Sequence, residues 1–387
     1  MLIYQIVILL LLAAFVGLVI RNLRDYAPLS ARKPARSERV SILVPARNEA
    51  QNIAACLQGL LAQDYANLEI IVLDDCSEDD TAERVRRLME RDSRLRLISG
   101  QPIPPGWAGK VWACSQLAKE ATGEWLLFVD ADTRAQPALV GSALAFAQET
   151  NAAMVSTFPR QVTVTFWERI ALPMVHFLLL TFLPIRQVWE SPNPAFAAAC
   201  GQFELFRRDA YAQIGGHAAI PASFHDGLQL GRRIKAAGLT LRLFDGTELI
   251  ACRMYQGGSQ VWNGFTRNAY EGIGSMGALI GLTVMQGTLF LAPFGFLAAG
   301  AFIGASWAWV CAGQVALIYA VRTLLARRFG GLGVVWLHPL AAVTLLAIQW
   351  GSWLKSRRKT GIAWKGRAYA GSLAQPSPPV SDLQRDS

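Results

Sequence analysis

Charge is scarce in this 387-residue chain: Asp, Glu, Lys and Arg make up 17% of it, where an ordinary soluble domain carries about 25%. None of the four occurs in residues 2–20 or 278–321. That excludes a wholly soluble enzyme, and a 52% hydrophobic content excludes a disordered chain. Metal-ligand spacing is missing too. The six cysteines (Cys56, Cys76, Cys114, Cys200, Cys252, Cys311) form no C-x-x-C pair and the four histidines no H-x-x-x-H, so neither a structural zinc site nor a disulfide scaffold is indicated. A reducing, cytosol-facing catalytic part fits. The net charge of +9 would suit nucleic acid, but the basic residues stand beside apolar runs: Arg21, Arg24, Arg32, Lys33, Arg36 and Arg39; Arg322, Arg327 and Arg328; Lys355, Arg357, Arg358 and Lys359. Anionic lipid headgroups are the partner this placement selects, and nucleic acid is not expected.

What is present begins with Leu2 to Ile20, an uncharged run as long as a bilayer core requires, with its positive cluster following it. Residues 1–20 read as an uncleaved anchor and residues 21–39 as a basic juxtamembrane linker; the competing signal-peptide reading lacks a basic start. Residues 278–354 hold two or three further helices, the first two turning near Gly300 to Trp307 and the third at 333–354. With residues 40–277 in the cytoplasm, two passes return Arg322 to Arg328 to that side. A third would export Lys355 to Arg367, against the positive-inside rule, and Pro339 permits a re-entrant segment instead, so the last apolar segment keeps both readings. Residues 355–387 read as a basic, partly disordered tail. The stretch Ile170 to Leu183, with Pro173 inside it and Pro184 after it, is too short and broken for a span and reads as an interfacial segment within 166–185. The expectation is a multi-pass protein of the inner (cytoplasmic) membrane with its catalytic domain, residues 40–277, facing the cytoplasm.

That domain alternates short apolar runs with helical spacing. Val40 to Val44 is followed by a helix over Glu49 to Gln63, Leu68 to Leu73 by one over Asp79 to Glu90, Leu95 to Ile98 by one over Val111 to Glu120, and Trp125 to Val129 by one over Pro137 to Gln148. Such βαβ alternation predicts an α/β domain with a mainly parallel, Rossmann-like sheet, whose ligands sit beyond the carboxyl ends of the strands. Arg47 and Glu49, Asp74 and Asp75, and Asp130 and Asp132 all fall at those ends.

Two carboxylates one residue apart, Asp130 and Asp132, can converge on one side of an extended stretch and hold Mg²⁺ or Mn²⁺ while a diphosphate supplies further oxygens; a surface turn capping a helix at Asp132 or Thr133 explains the same residues. At the second strand end, Ser77 and Asp79 read as helix caps and Asp75 as a ligand-binding group. Lys110, at a helix start after glycines Gly106 and Gly109, suits a phosphate; a solvated lysine is the alternative.

In this order and spacing, Val44-Pro45-Ala46-Arg47-Asn48-Glu49, Asp74-Asp75-Cys76-Ser77 and Asp130-Ala131-Asp132 resemble family-2 glycosyltransferases of the GT-A fold, over about residues 38–270. The resemblance implies that Pro45, Arg47 and Glu49 line a nucleotide pocket, that Asp75 binds the base, and that Asp130 and Asp132 bind the metal and the nucleotide-sugar diphosphate. Pro104-Pro105-Gly106-Trp107-Ala108-Gly109-Lys110 is similar to the membrane-bound branch associated with hopanoid and carotenoid glycosylation, including diaponeurosporenoate-type enzymes, as is the closing Trp364-Lys365-Gly366-Arg367-Ala368-Tyr369. Phe224-His225-Asp226-Gly227-Leu228 resembles the segment in which the family places its base, which assigns that role to Asp226; a helix cap is its structural alternative. His225 stands where the family has Glu, and reads as a neighbour of the site. Cys200-Gly201-Gln202-Phe203 falls at the acceptor-facing loop, so Gly201, Gln202, His225 and Trp262 are assigned to the acceptor side. Gln256, Trp262 and Arg267 do not reproduce the Q-x-x-R-W element of processive synthases.

The function expected is therefore an inverting, metal-dependent transfer of a single sugar from a nucleotide-sugar donor, UDP-linked, to a membrane lipid acceptor such as a carotenoid, hopanoid or polyprenyl phosphate. A processive exopolysaccharide synthase and a noncatalytic nucleotide-sugar-binding scaffold are the alternatives.

Overall fold

The structure, a computed structural model, describes residues 1–357 and the short strands Ile362–Trp364 and Arg367–Tyr369; the rest of the tail, with Lys365 and Gly366 of its motif, lies outside the described residues. The chain divides into two compact units. Among the described residues, one comprises Tyr26–Val162 and Gln187–Met254, and the other Met1–Asp25, Thr163–Arg186 and the chain from Tyr255 through residue 357.

The first unit is built on ten strands: β1 Val40–Ala46, β2 Leu68–Asp74, β3 Leu95–Ser99, β4 Trp125–Val129, β5 Thr133–Ala135, β6 Met154–Ser156, β7 Arg160–Gln161, β8 Phe203–Arg207, β9 Leu241–Leu243 and β10 Ile250–Cys252. Seven form one sheet in the order β3-β2-β1-β4-β8-β6-β9. β1, β2 and β4 are apolar runs buried on both faces, the composition of a covered parallel sheet. β1 accordingly pairs in parallel with β2 (Val40 opposite Leu68) and with β4 (Val40 opposite Trp125), and β2 with β3. The helices Ile53–Leu61, Thr81–Met89, Gly109–Glu120 and Leu139–Glu149 follow these strands, and Ile53, Leu57, Leu60, Val85, Leu139, Val140 and Leu144 join the strand residues in one core.

The sheet is mainly parallel, as expected, and the exception is β8, which runs antiparallel to β4 and to β6. Its reversal sets Phe203 opposite Val129. The amino end of β8 thereby lies at the same edge as the carboxyl ends of β1, β2 and β4, and the residues flanking those four ends share one rim. A three-stranded sheet, β5-β10-β7, follows the end of β4 and pairs Cys252 with Thr133 and Gln161.

Backbone proximity fixes Gly123. A Cβ there would lie 2.6 Å from the Arg39 carbonyl oxygen and 2.7 Å from the Ser41 nitrogen, and both are main-chain atoms that cannot turn aside. Gly123→Ala is expected to destabilise this unit by about 1–3 kcal/mol, read as a lowered melting temperature of the detergent-solubilised protein.

The second unit contains four helices long and apolar enough to cross a membrane by length and composition: Leu2–Asp25, Met276–Phe302, Ala308–Phe329 and Leu332–Arg357. Met276–Phe302 contains a π-helical turn at Gly287–Leu291. Pro339 sits in the first turn of the α-helix His338–Arg357, where its missing N–H breaks no hydrogen bond, so the proline leaves the helix continuous. Thr163–Arg186, expected as part of the catalytic domain, groups with these apolar helices. It forms the helices Phe166–Ala171 and Pro173–Phe182, the first opened by a capping box of Thr165 and Glu168. Buried amides join the helices: Asn22 donates to the Leu180 and Leu183 carbonyls and accepts from Ile185 N–H, and Gln314 donates to the Gln5 carbonyl at 2.7 Å.

Candidate active site

The rim of the seven-stranded sheet carries its charged groups because a strand that ends at the edge releases the next residues into open loop while its hydrogen bonds hold them in register. Asp130 leaves β4, Gly201 and Gln202 precede β8, Lys110 is the second residue of the helix Gly109–Glu120, and Asp226 opens the helix Asp226–Ala236. These segments meet at the Lys110 ammonium. Its Nζ lies 2.8 Å from Asp130 Oδ1 and 2.9 Å from Asp226 Oδ2, and donates to the Gly201 carbonyl at 2.9 Å. Asp226 also accepts a hydrogen bond from Gly227 N–H at 3.0 Å. Gly201 has no room for a side chain, because a Cβ would collide with the Asp226 carboxylate.

Charge balance sets the proton states. Burial opposes the Lys110 charge, but Asp130 and Asp226 outweigh it and hold the ammonium well above the usual lysine range. Burial likewise works against the Asp226 carboxylate; the Lys110 ammonium overcomes it and holds Asp226 below its ordinary value. Asp130 is pushed up to about 7, by burial first and then by the neighbouring Asp132 and Asp226 charges, with Lys110 opposing. The carboxylates of Asp130 and Asp226 flank this ammonium and the Asp132 charge acts on Asp130, so acidic groups outnumber the one cation here.

Two loops frame the other side of the rim. Arg47, 5% exposed, turns its guanidinium onto the loop after β2 and donates to the Asp75 and Cys76 carbonyls and to Glu78. Asn48 N–H donates to Ser77 Oγ, and Glu78 N–H to Asn48 Oδ1. Asn48 and Cys76 both adopt left-handed φ values, 51° and 54°, a conformation non-glycine residues hold only when their surroundings dictate it. Asp75 is buried, with its N–H bonded to the Ala46 carbonyl; Pro45 lies in β1, and Glu49 accepts from Asn52 at 2.9 Å. Asp79 accepts from Thr81 N–H, as expected of a cap, whereas Ser77 bonds Asn48 instead of a helix end.

Of the other assigned residues, Asp132 follows β4 by three residues and is partly buried. Gln202 is buried and bridges Gln161 and the Cys252 thiol. His225 is the residue before the Asp226 helix and donates its N–H to Ser223 Oγ. Trp262 belongs to the second unit, in the helix Gly258–Ile273.

Sequence reasoning missed two residues. Glu204 of β8 and His217 are fully buried, and one ligand atom from each lies within 4.8 Å of the other and of an Asp226 oxygen. Burial, reinforced by Asp226, raises the Glu204 carboxyl well above the usual range. Burial lowers His217 to about 4 and keeps its imidazole neutral. An acid inside the apolar run Phe203-Glu204-Leu205-Phe206 was the available signal for Glu204; for His217 it was a lone histidine after two glycines.

Residues 41–215 match the family described as Glycosyl transferase family 2. The chain is 26% identical over 353 residues, covering 87% of it and 89% of its relative, to 4,4'-diaponeurosporenoate glycosyltransferase of Staphylococcus aureus. Among solved structures it is similar to the mannosyltransferase PcManGT from Pyrobaculum calidifontis, in complex with GDP-Man and Mn²⁺, with a TM-score of 0.57 and 20% identity over 91% of this chain and 98% of that one. That likeness concerns the fold, and the mixed sheet with its flanking helices is GT-A-like.

Proposed function

Residues 41–215 are a glycosyltransferase family 2 domain, and from that premise we propose that the protein is a membrane-embedded, metal-dependent, inverting glycosyltransferase. It moves one sugar from a nucleotide-sugar donor, UDP-linked, to a hydroxyl or carboxyl group of a membrane lipid. The observation that carries this reading is the Lys110 ammonium within 3 Å of both Asp130 and Asp226. A residue suited to a donor diphosphate, Asp130, and the candidate base, Asp226, thus both lie within hydrogen-bond distance of one group.

In this mechanism the Arg47-braced loop presents Asp75 to the nucleotide base. Asp130 and Asp132 would hold Mg²⁺ or Mn²⁺; they offer hard oxygens, and the excess negative charge of the rim suits a divalent cation. When bound, the ion neutralises the departing diphosphate. Lys110 supplies a further positive charge for the diphosphate, Gly201 leaves space beside the base, and Asp226 takes the proton of the acceptor oxygen as that oxygen attacks the anomeric carbon. Gln202 and His225 flank the acceptor.

The acceptor class follows from the apolar helices on the same chain and from the relative named for a diaponeurosporenoate: a carotenoid, a hopanoid or a polyprenyl phosphate. The basic residues beside the spans favour the inner membrane, with the catalytic unit on the cytoplasmic side and anionic headgroups against the linker. The test is sugar transfer by the full chain in detergent with UDP-glucose, Mn²⁺ and a lipid extract. Lipid-dependent release of UDP, with a product one hexose heavier by mass spectrometry, is the expected result. Products carrying many sugars would point to a chain synthase, and failure to bind any nucleotide sugar to a noncatalytic scaffold.

A further inference from the structure

We infer that Glu204 and His217 are positioning residues for Asp226, holding its carboxylate unprotonated and oriented for the acceptor. The inference rests on the transferase reading above and concerns two residues that reading does not use.

The geometry is a buried cluster behind the base. Both Glu204 oxygens and His217 Nε2 are buried and lack a hydrogen-bond partner, and one ligand atom from each of Glu204, His217 and Asp226 lies within 4.8 Å of the other two. Close approach requires Gly227, where a Cβ would come 2.7 Å from Glu204 Oε1. The other titratable groups facing the cluster are Lys110 and Cys114 from the helix Gly109–Glu120, Asp130 after β4, Cys200 before β8, and Tyr211.

A second ionised carboxylate without donors, beside Asp226 and away from water, is too costly to persist. Glu204 therefore enters as the neutral acid, and its O–H needs an acceptor, which Asp226 supplies. The Tyr211 hydroxyl accepts from His217 N–H at 3.0 Å and lies 2.8 Å from Nδ1. With its own proton on the side of Nδ1, it leaves Nε2 to carry the ring hydrogen toward the carboxylates. Asp226 is then fixed by Lys110 and Gly227 on one side and by two neutral donors on the other. Two carboxylates and an imidazole could also serve a divalent ion, but with Glu204 held as the neutral acid the cluster offers such an ion a single carboxylate charge. During transfer the acceptor oxygen bonds to the anomeric carbon and the carbon–diphosphate bond breaks, its electron pair leaving on the diphosphate. The acceptor proton passes to Asp226, and Glu204 keeps its own proton throughout.

The test follows the Asp226 carboxyl by ¹³C NMR across pH in the full chain in detergent, assigned by its loss in Asp226→Asn, alongside the pH profile of transfer from UDP-glucose. Glu204→Leu removes a donor to the charged form, so the Asp226 titration and the acid limb of kcat should both move up by about one pH unit, a tenfold loss on that limb. His217→Phe should move them the same way. Glu204→Gln, which keeps a donor, should leave them in place, and the donor KM should hold in all three. A lowered melting temperature with an unshifted Asp226 titration in both Glu204→Leu and His217→Phe would mean a merely structural cluster and overturn the inference. So would a downward shift in Glu204→Gln, the mark of an ionised Glu204. If the titration shifts as expected but the wild-type protein transfers no sugar, the transferase reading fails while the relation among the three residues stands.

Discussion

Replacing Asp226 with Asn is expected to lower kcat by about 10²–10⁴-fold, the range a positioned general base contributes, while leaving donor affinity nearly unchanged. The amide matches the carboxylate in size, and its one oxygen can still accept either from Gly227 N–H, as Oδ1 does, or from Lys110, as Oδ2 does, so the backbone has little reason to change. What it loses is the capacity to take a proton. Turnover measured with saturating acceptor, set beside donor affinity by titration calorimetry, separates the two effects. A matched fall in both would make Asp226 a binding residue and remove it from the chemistry. The pH response has a definite sign. Asp226 is held below its ordinary value by Lys110 against the opposing effect of burial, so the proposed base stays ionised on descending through the usual carboxylate range, and activity falls only as pH drops through the depressed value.

Replacing Asp132 with Asn should cost on the order of 10²-fold or more in kcat/KM, because a site metal contributes several kcal/mol of charge stabilisation at roughly 1.4 kcal/mol per tenfold. The loss should appear equally as weakened, metal-dependent donor binding. EDTA should impose a similar loss on the wild-type protein, and the two effects should not multiply when combined, since they remove the same interaction. Excess Mn²⁺ should recover part of the variant's activity and none of that lost in Asp226→Asn. Donor affinity indifferent both to chelation and to Asp132→Asn would show that Asp130 and Asp132 do not hold an ion. Asp132 also raises the Asp130 carboxyl, so its neutralisation should leave Asp130 more acidic.

Much of this was legible along the chain. The four apolar runs at 40, 68, 95 and 125 announced β1 to β4, and helical spacing after each placed the following helices to within a few residues. Because parallel strands release their carboxyl ends on one edge, those runs sufficed to gather Arg47, Asp75 and Asp130. Asp226 and Lys110 came from their local motifs. The antiparallel β8 was not legible, since five residues of apolar and charged side chains carry no mark of direction, and direction decides which end meets the rim. Glu204 and His217 were lost with it: their meeting depends on that reversal and on a turn through Gly215 and Gly216, both at left-handed φ, 77° and 52°. Arg47 illustrates another limit. Its position at the rim could be read from the motif, but which loop its guanidinium braces depends on neighbours about thirty residues away.

The reversed β8 also orders the assembly of the protein during synthesis. β1 to β4 leave the ribosome as a continuous series of short crossovers, so the nucleotide half can close on nearby contacts alone. β8 emerges more than seventy residues after β4 and must insert against a strand already in place, and only the segment after it supplies Asp226, the proposed base. A nascent chain halted before β8 therefore holds the acidic pair that follows β4 without Glu204 or Asp226, and the rim waits for β8 and the helix Asp226–Ala236 to be complete.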